Sequence, residues 1–327
     1  MATRKDVAKL AGVSETTVTR VTNNSGYVSP ENRAKVQAAI EQLQYKPNLV
    51  ARGLRTKTTK QILYLMPDVN NAYYLEVFSG IEDYARGHGY SVVISRHFDR
   101  DMLYQRQFDG VILSGSYLQY DPDLDKDVEM SFEQIQEVDF PVPCVNTSNT
   151  HSKPGIQQAA EYFYAQGHRR LSMILRPTFK GDLRMHVFRE RFEKLGGVIH
   201  EEDILIIDLK NEPEDVGAFM LDFIRPRMGE VTGAFMHNDV LALKLIAAMH
   251  AKELWVPHDF SLIGYDDIMF AAMSAPALTT IHMPKYEMGR EAARRLIHTI
   301  ENRPYEPVML QAELTIRESV KKLKVEE

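Results

Sequence analysis

From residue 61 onward the chain alternates short apolar runs with amphipathic stretches, and no other feature restricts its possible folds as much. Apolar runs fall at 62–66, 91–94, 110–113 and 142–145, separated by stretches such as 75–88, and the pattern resumes at 171–175, 204–207, 233–236 and 261–264. Short apolar runs followed by segments of helical spacing predict parallel sheets built from right-handed strand–helix–strand crossovers. These are too many units for one small sheet, and the pattern breaks near 146–156. Two similar lobes are therefore expected, with any ligand in the cleft beyond the carboxyl ends of their strands. A length of 327 residues leaves room for two or three domains.

Composition removes several function classes. No apolar run approaches the eighteen or so residues that a membrane span needs, and the opening MATRKDVAKL has no signal-peptide apolar core, so a soluble cytoplasmic protein is expected. A single cysteine, Cys144, excludes an internal disulfide framework and a Cys-only zinc site. Neither a serine nucleophile elbow nor a His-Glu-x-x-His pair occurs, so neither an enzyme, a cofactor nor a metal is expected. Asp121, Asp123, Asp125 and Asp127 alternate as in a calcium loop, but Lys126 replaces the turn glycine and Phe132 stands at the twelfth position, which leaves a solvated acidic loop. The net charge of −6 hides an asymmetry. Residues 1–60 carry eleven Lys and Arg against four Asp and Glu, a net +7, whereas the remainder carries 28 against 41, a net −13. A small basic module on an acidic body suits a chain whose one end meets a polyanion.

The basic end reads as three helices. Thr3 can cap a first helix containing Val7, Ala8, Leu10 and Ala11, and Gly12 supplies the left-handed conformation of a sharp turn. Ser14 caps a second helix from Glu15 to about Asn23, whose Val18 and Val21 point inward and leave Glu15, Thr16, Thr17, Thr19 and Arg20 mostly outward. Ser29-Pro30 opens a third helix, which Lys46-Pro47 is expected to end. Two short helices joined by Ala-Gly-Val and followed by a third make a helix-turn-helix, whose second helix is slim enough for a major groove about 12 Å wide.

The segments TRKDVAKLAGVSETTVTRVTNN and YVSPENRAKVQAAIEQLQYKPNLVARGLRT resemble the headpiece of the LacI/GalR family of bacterial transcription regulators, continuously over residues 3–57. GHRRLSMIL, AFMHNDVLALKLI, VPHDFSLIGYDDI and PALTTIHMPKYEMGREAARRLI resemble the periplasmic-binding-protein-like effector domain of the same family. The resemblance implies an all-α headpiece at 1–46, a hinge helix and linker at 47–60, and an α/β two-lobed effector and dimerisation domain at 61–327. The first lobe would take 61–152 and 283–303, the second 153–282 and 304–320. It further implies that Glu15, Thr16 and Arg20 face base edges, with Thr3, Ser14, Thr19 and Asn23 among the headpiece contacts and Asn48, Ala51, Leu54 and Arg55 among those of the hinge. Arg20 suits a bidentate pair with guanine, Thr16 a thymine methyl or a phosphate, and Glu15 either accepts from cytosine or simply complements the helix dipole. Leu54 would wedge into the minor groove of a bent duplex. Seven or eight residues that include Gly53 cannot hold an isolated helix, so the hinge is expected to order only where two copies meet on DNA.

The effector contacts implied by the resemblance are Tyr73, Tyr74, Asn146, Arg184, Asn238 and Asp266. Arg184 and Asp266 offer a donor fork and an acceptor for vicinal hydroxyls, Asn238 offers both, and a tyrosine covers an apolar ring face, so a small sugar or sugar derivative is the expected ligand. Tyr73 and Arg184 also suit a purine-like or phosphorylated ligand, and a non-secreted solute-binding protein is the alternative from another class. Relative to the family pattern the chain is shorter between Ile94 and Phe108, and again between Asn146 and Gly155, where a strand is expected to be missing; Asn146 stands where an acid is common, and Val187 replaces a glycine. The expected partners are a palindromic double-stranded DNA operator and a second copy of the chain; SVKKLKVEE carries no heptads, so a homodimer is expected and not a tail-driven tetramer.

Arg20→Ala is predicted to relax base preference at one position per half-site, by roughly 1–3 kcal/mol of discrimination, read from binding-site selection on randomised duplexes. Leu54→Ala is predicted to weaken operator binding strongly in a gel-shift titration while ligand binding stays intact.

Overall fold

The computed structural model describes residues 2–22, 25–45, 58–96, 107–114, 142–147, 150–176, 183–208 and 211–324. The chain divides into two compact units, Met1–Lys60 and Gln61–Glu327. The expected hinge, with Asn48, Ala51, Leu54 and Arg55, lies outside the described residues, as do Asn23 and the acidic run around Asp125.

The first unit holds three helices, α1 (Arg4–Ala11), α2 (Glu15–Thr22) and α3 (Pro30–Leu43). A reciprocal capping box between Thr3 and Asp6 starts α1, and Gly12, at φ +65°, ends it. Val7, Ala8, Ala11, Val18, Val21, Val36 and Ala39 form the core. Helix α3 stops at Leu43, before the expected Lys46-Pro47, because Gln44 turns left-handed and its amide closes on Glu41 and Ile40. A C-terminal cap, and not the proline clash, sets this end.

In the second unit, β1 (Gln61–Leu65), β2 (Ser91–Ser95), β3 (Gly110–Leu113) and β4 (Cys144–Asn146) make a parallel sheet in the order β2-β1-β3-β4. Alternation along β1 sends Ile62 and Tyr64 to one face, and Leu63 and Leu65 to the other. The first face is covered by α4 (Ala72–Gly87), which begins three residues earlier than its apolar pattern indicated because the Asn71 side chain caps it. Between the sheets lies the short strand β5 (Thr150–His151). A strand was expected to be missing here; two residues of it persist, because they find a parallel partner near the end of the chain in β11 (Leu310–Gln311).

The second sheet uses β6 (Ser172–Leu175), β7 (Ile204–Ile206), β8 (Gly233–Met236), β9 (Ser261–Asp266), β10 (Thr280–His282) and an antiparallel edge, β12 (Glu313–Thr315), in the order β12-β10-β9-β8-β6-β7. Helices α5 (Lys153–Ala165) and α6 (Leu183–Lys194) cover one face, where Phe188 stacks on Phe235 at 4.3 Å; α7 (Val216–Ile224) and α8 (Asp239–His250) cover the other. A short helix α9 (Met269–Met273) follows β9. Both sheets share one winding: β1 lies between β2 and β3 as β6 lies between β7 and β8. Each therefore has a switch point where successive crossovers part, which opens a crevice at the carboxyl ends of its strands.

After β10 the chain returns to the first sheet as α10 (Lys285–Ile300), which packs lengthwise on α4. The two helices approach to backbone contact. A methyl group on Gly80 would sit 1.9 Å from the Tyr286 carbonyl oxygen, and one on Gly289 would sit 1.9 Å from that of Val77. Gly289→Ala is predicted to destabilise the second unit by about 3 kcal/mol or more, since the obstacle is backbone and cannot swing away; urea unfolding followed by circular dichroism measures it.

Candidate nucleic-acid interface and candidate ligand cleft

Helical spacing places Glu15, Thr16, Thr19 and Arg20 on the side of α2 opposite the buried Val18 and Val21, and Glu15, Thr16 and Arg20 are exposed. The Glu15 carboxylate accepts from Arg4 Nε at 3.0 Å, and Arg4 Nη1 donates to Thr19 Oγ1 at 3.3 Å. Glu15 is thus partnered within the headpiece, which softens its repulsion toward phosphates. Arg4 belongs to the same surface and was missed by sequence reasoning, because only the turn at Gly12 brings the first residue of α1 beside the first residue of α2. Thr3 and Ser14 are exposed too, but both are occupied as caps: Thr3 accepts from the Asp6 amide, and Ser14 Oγ accepts from the Thr17 amide at 3.2 Å.

In the second unit, the strand ends gather a different set. Asn71 caps α4 by accepting from the Tyr73 amide at 3.0 Å, which sets Tyr73 in the first helical turn after β1. Tyr73 is half-buried and packs against the apolar cores of both lobes. Tyr74, one residue on, shares the inward face of Val77 and Ile81 and is part of the first-lobe core, meeting Tyr73 edge-on at 5.1 Å. Its side chain follows the helical face that α4 buries. Asn146 ends β4, half-buried, in register with Leu113.

Arg184 occupies in the second lobe the place that Tyr73 holds in the first, the opening turn of the helix after the central strand. Its Nη1 donates to the His237 carbonyl at 2.7 Å, and its guanidinium lies 4.2 Å from the centre of the Tyr265 ring. Asp266 follows Tyr265 with φ +110° and is buried. Burial pushes its carboxyl up to about 7, although the charges of Arg184 and Lys285 pull the other way. The same carboxylate helps raise the Tyr73 phenol well above its ordinary value, behind the larger effect of burial. Tyr73, Arg184 and Asp266 are therefore brought within electrostatic reach of one another, and among the described residues no hydrogen bond from the protein contributes to holding the Asp266 carboxylate. Asn238 stands apart in role, since its side chain caps α8 by accepting from the Leu241 amide at 3.0 Å.

Two residues beneath this group escaped sequence reasoning. Asp239 is fully buried, accepting from the Ile268 amide at 2.9 Å and from Thr280 Oγ1 at 2.5 Å. Burial, and then the neighbouring Asp266, push its carboxyl up to about 8. A methyl on Gly264 would meet Asp239 Oδ1 at 2.1 Å, so the strand residue at that point has to be glycine. Lys285, 1% exposed, is the other. Nothing in the sequence marks either, because their neighbours come from distant strands.

Residues 3–48 match the family described as bacterial regulatory proteins, lacI family, and residues 160–320 match the periplasmic binding protein-like domain. The chain is 34% identical to the HTH-type transcriptional repressor PurR of Haemophilus influenzae, over 99% of this chain and all of that one. It is 32% identical to the ribose operon repressor of Halalkalibacterium halodurans, over 98% of each. Among solved structures it is similar to the transcriptional regulator CelR in complex with cellobiose, at 28% identity and a TM-score of 0.65 over 98% of this chain and all of that one. It shares the fold of the lac repressor dimer bound to operator and an anti-inducer, at a TM-score of 0.77 and 23% identity over 98% and 99% of the two chains. A helix-turn-helix unit, two parallel α/β lobes and end-to-end likeness to repressors of this build lead to one assignment: the chain belongs to the lacI family of bacterial regulatory proteins, which are DNA-binding regulators of transcription.

Proposed function

We propose that the protein is a homodimeric repressor that reads a palindromic operator through α2 and responds to a small polyhydroxylated ligand, a sugar or sugar derivative, held between its lobes. The observation that carries the ligand reading is Asp266: a largely buried residue at a strand end whose carboxylate lies within electrostatic reach of Tyr73 and Arg184. A carboxylate so desolvated gains from a ligand hydroxyl or N–H, since a hydrogen bond to a charged group contributes roughly 1.5–3 kcal/mol. Arg184 supplies the donors, and the Tyr73 ring supplies an apolar face.

A second ligand class, purine-like, is favoured by the same Tyr73, whose ring is half-buried between the two cores and therefore suited to a flat heterocycle. Two relatives carry a sugar in their names, a ribose operon repressor and CelR in complex with cellobiose, which supports the first class.

On the DNA side, Arg20, Thr16 and Glu15 are the base-reading residues, with Thr19 and Arg4 behind them; Asn23, Asn48, Ala51, Leu54 and Arg55 complete the expected contacts from outside the described residues. Dimerisation is supported by α9, where Met269, Phe270 and Met273 stand 59%, 50% and 71% exposed in a row of large apolar side chains. Two copies are needed because one headpiece spans too few base pairs for specificity. Among the described residues no helix is long and apolar enough to cross a membrane.

Repression and its relief follow from linkage. A ligand that prefers one arrangement of the lobes shifts the population of that arrangement, and the same free energy appears in operator affinity.

Thermal-shift titrations with ribose, cellobiose and guanine are predicted to raise the melting temperature with one of the three, and Asp266→Asn is predicted to cut that affinity at least tenfold, about 1.4 kcal/mol. A full response retained in Asp266→Asn would refute the site. Steeply salt-dependent binding to duplex DNA, with a palindrome preferred over random sequence, is the expected result of the parallel DNA titration.

A further inference from the structure

Asp266 and Asp267 are consecutive non-glycine residues with positive φ, +110° and +55°, a strained corner at the carboxyl end of β9. Both of their carbonyl oxygens turn toward one buried ammonium group. Lys285 Nζ donates to Asp266 O at 2.7 Å, to Asp267 O at 2.8 Å and to Met283 O at 3.2 Å, so each of its three hydrogens has a carbonyl acceptor. On its remaining side Nζ lies 3.4 Å from Oε2 of the half-buried Glu76 on α4.

The topology gives this cluster its meaning. The strained corner belongs to the second sheet, whereas Lys285 is the first residue of α10 and Glu76 lies on α4, the two helices that cover the first sheet. One cation thus joins the residue that presents a carboxylate to the cleft with the helix pair of the opposite lobe. We propose that Lys285 is a positioning residue: it fixes the direction in which Asp266 presents its carboxylate and, through Glu76, ties that direction to the first lobe.

The charges around Asp266 come from several elements. Arg184 on α6 and Lys285 on α10 favour its ionised form, and Asp239 on α8 opposes it. Tyr73 on α4 also lies within its field, its phenol raised well above the ordinary value by burial and then by Asp266. Asp267 is turned away into pairs with His282 at 2.9 Å and Arg317 at 2.7 Å. Glu76 partly offsets the Lys285 charge.

The inference rests on Asp266 being the acceptor of the cleft, and its test is independent of that reading because no small molecule is added. The full chain, labelled with carboxyl-13C aspartate, is titrated by NMR, with Asp266→Asn assigning the Asp266 signal. In Lys285→Met the midpoint is expected to rise by about one pH unit, a tenfold change in proton affinity. In Glu76→Gln, which relieves Lys285 of its counter-charge, it is expected to fall by roughly 0.3 pH unit, about twofold. Opposite signs are the signature of a cation held beside Asp266 with Glu76 as its counter-charge. Unchanged midpoints, or shifts of one sign, overturn the proposal. Glu76 is only half-buried and Gln keeps its shape, so should Lys285→Met not fold, the fall in Glu76→Gln alone decides. If instead the titrations behave as expected and Asp266→Asn binds ribose, cellobiose or guanine as before, the positioning role stands and the ligand reading is what fails.

Discussion

The contact between α4 and α10, backbone against backbone at Gly80 and Gly289, builds the two-helix layer that covers the first sheet. Helix α10 enters only after five of the six strands of the second sheet, so the chain must cross back to complete the first lobe. Without a glycine on each helix the pair would separate, and the face of β1 that carries Ile62 and Tyr64 would lose the two-helix layer covering it. Close approach also fixes where α10 begins. That start brings Lys285 under the end of β9 and Glu76 beside it.

The cleft group follows from the same geometry. Parallel strands end together, so the residues after β1, β6, β8 and β9 converge: Tyr73, Arg184, His237 with Asn238, and Asp266. Convergence alone does not make a binding site. What distinguishes Asp266 is desolvation on a strained corner, which leaves its carboxyl poised near neutrality. Asp239, deeper still and satisfied by Ile268 and Thr280, adds a second carboxyl whose charge works against the first. On the proposed reading, a ligand that donates to Asp266 would relieve part of that cost, and only in lobe arrangements that bring the ligand there. This is the differential interaction that a population shift requires.

Much of the fold was legible in the residues. Apolar runs of four or five between amphipathic stretches located eight of the twelve described strands to within a residue or two, and Thr3, Gly12, Ser14 and Ser29-Pro30 marked helix ends through side-chain oxygens and turn conformations that act locally. Where a local signal competed with a stronger one, the outcome differed: Gln44 ended α3 before the proline did, and Asn71 started α4 before its apolar stripe. Tyr73 and Tyr74 show the limit for the site. Resemblance named both, but the helical face that α4 buries sends Tyr74 into the core and leaves Tyr73 beside Asp266.

What the sequence determined by itself, then, is everything that depends on neighbours along the chain: the helix-turn-helix, the order of strands and helices, the outward set Glu15, Thr16 and Arg20, and the polar residues at strand ends. Only the tertiary structure decided which of those polar groups carry unusual charge states and which are caps. A carboxylate's proton affinity is set by what surrounds it in space, and the surroundings of Asp266 come from positions as distant as Tyr73, Arg184, Asp239 and Lys285. The pairing of Arg4 with Glu15 belongs to the same class, because a turn, and not sequence proximity, brings the two together.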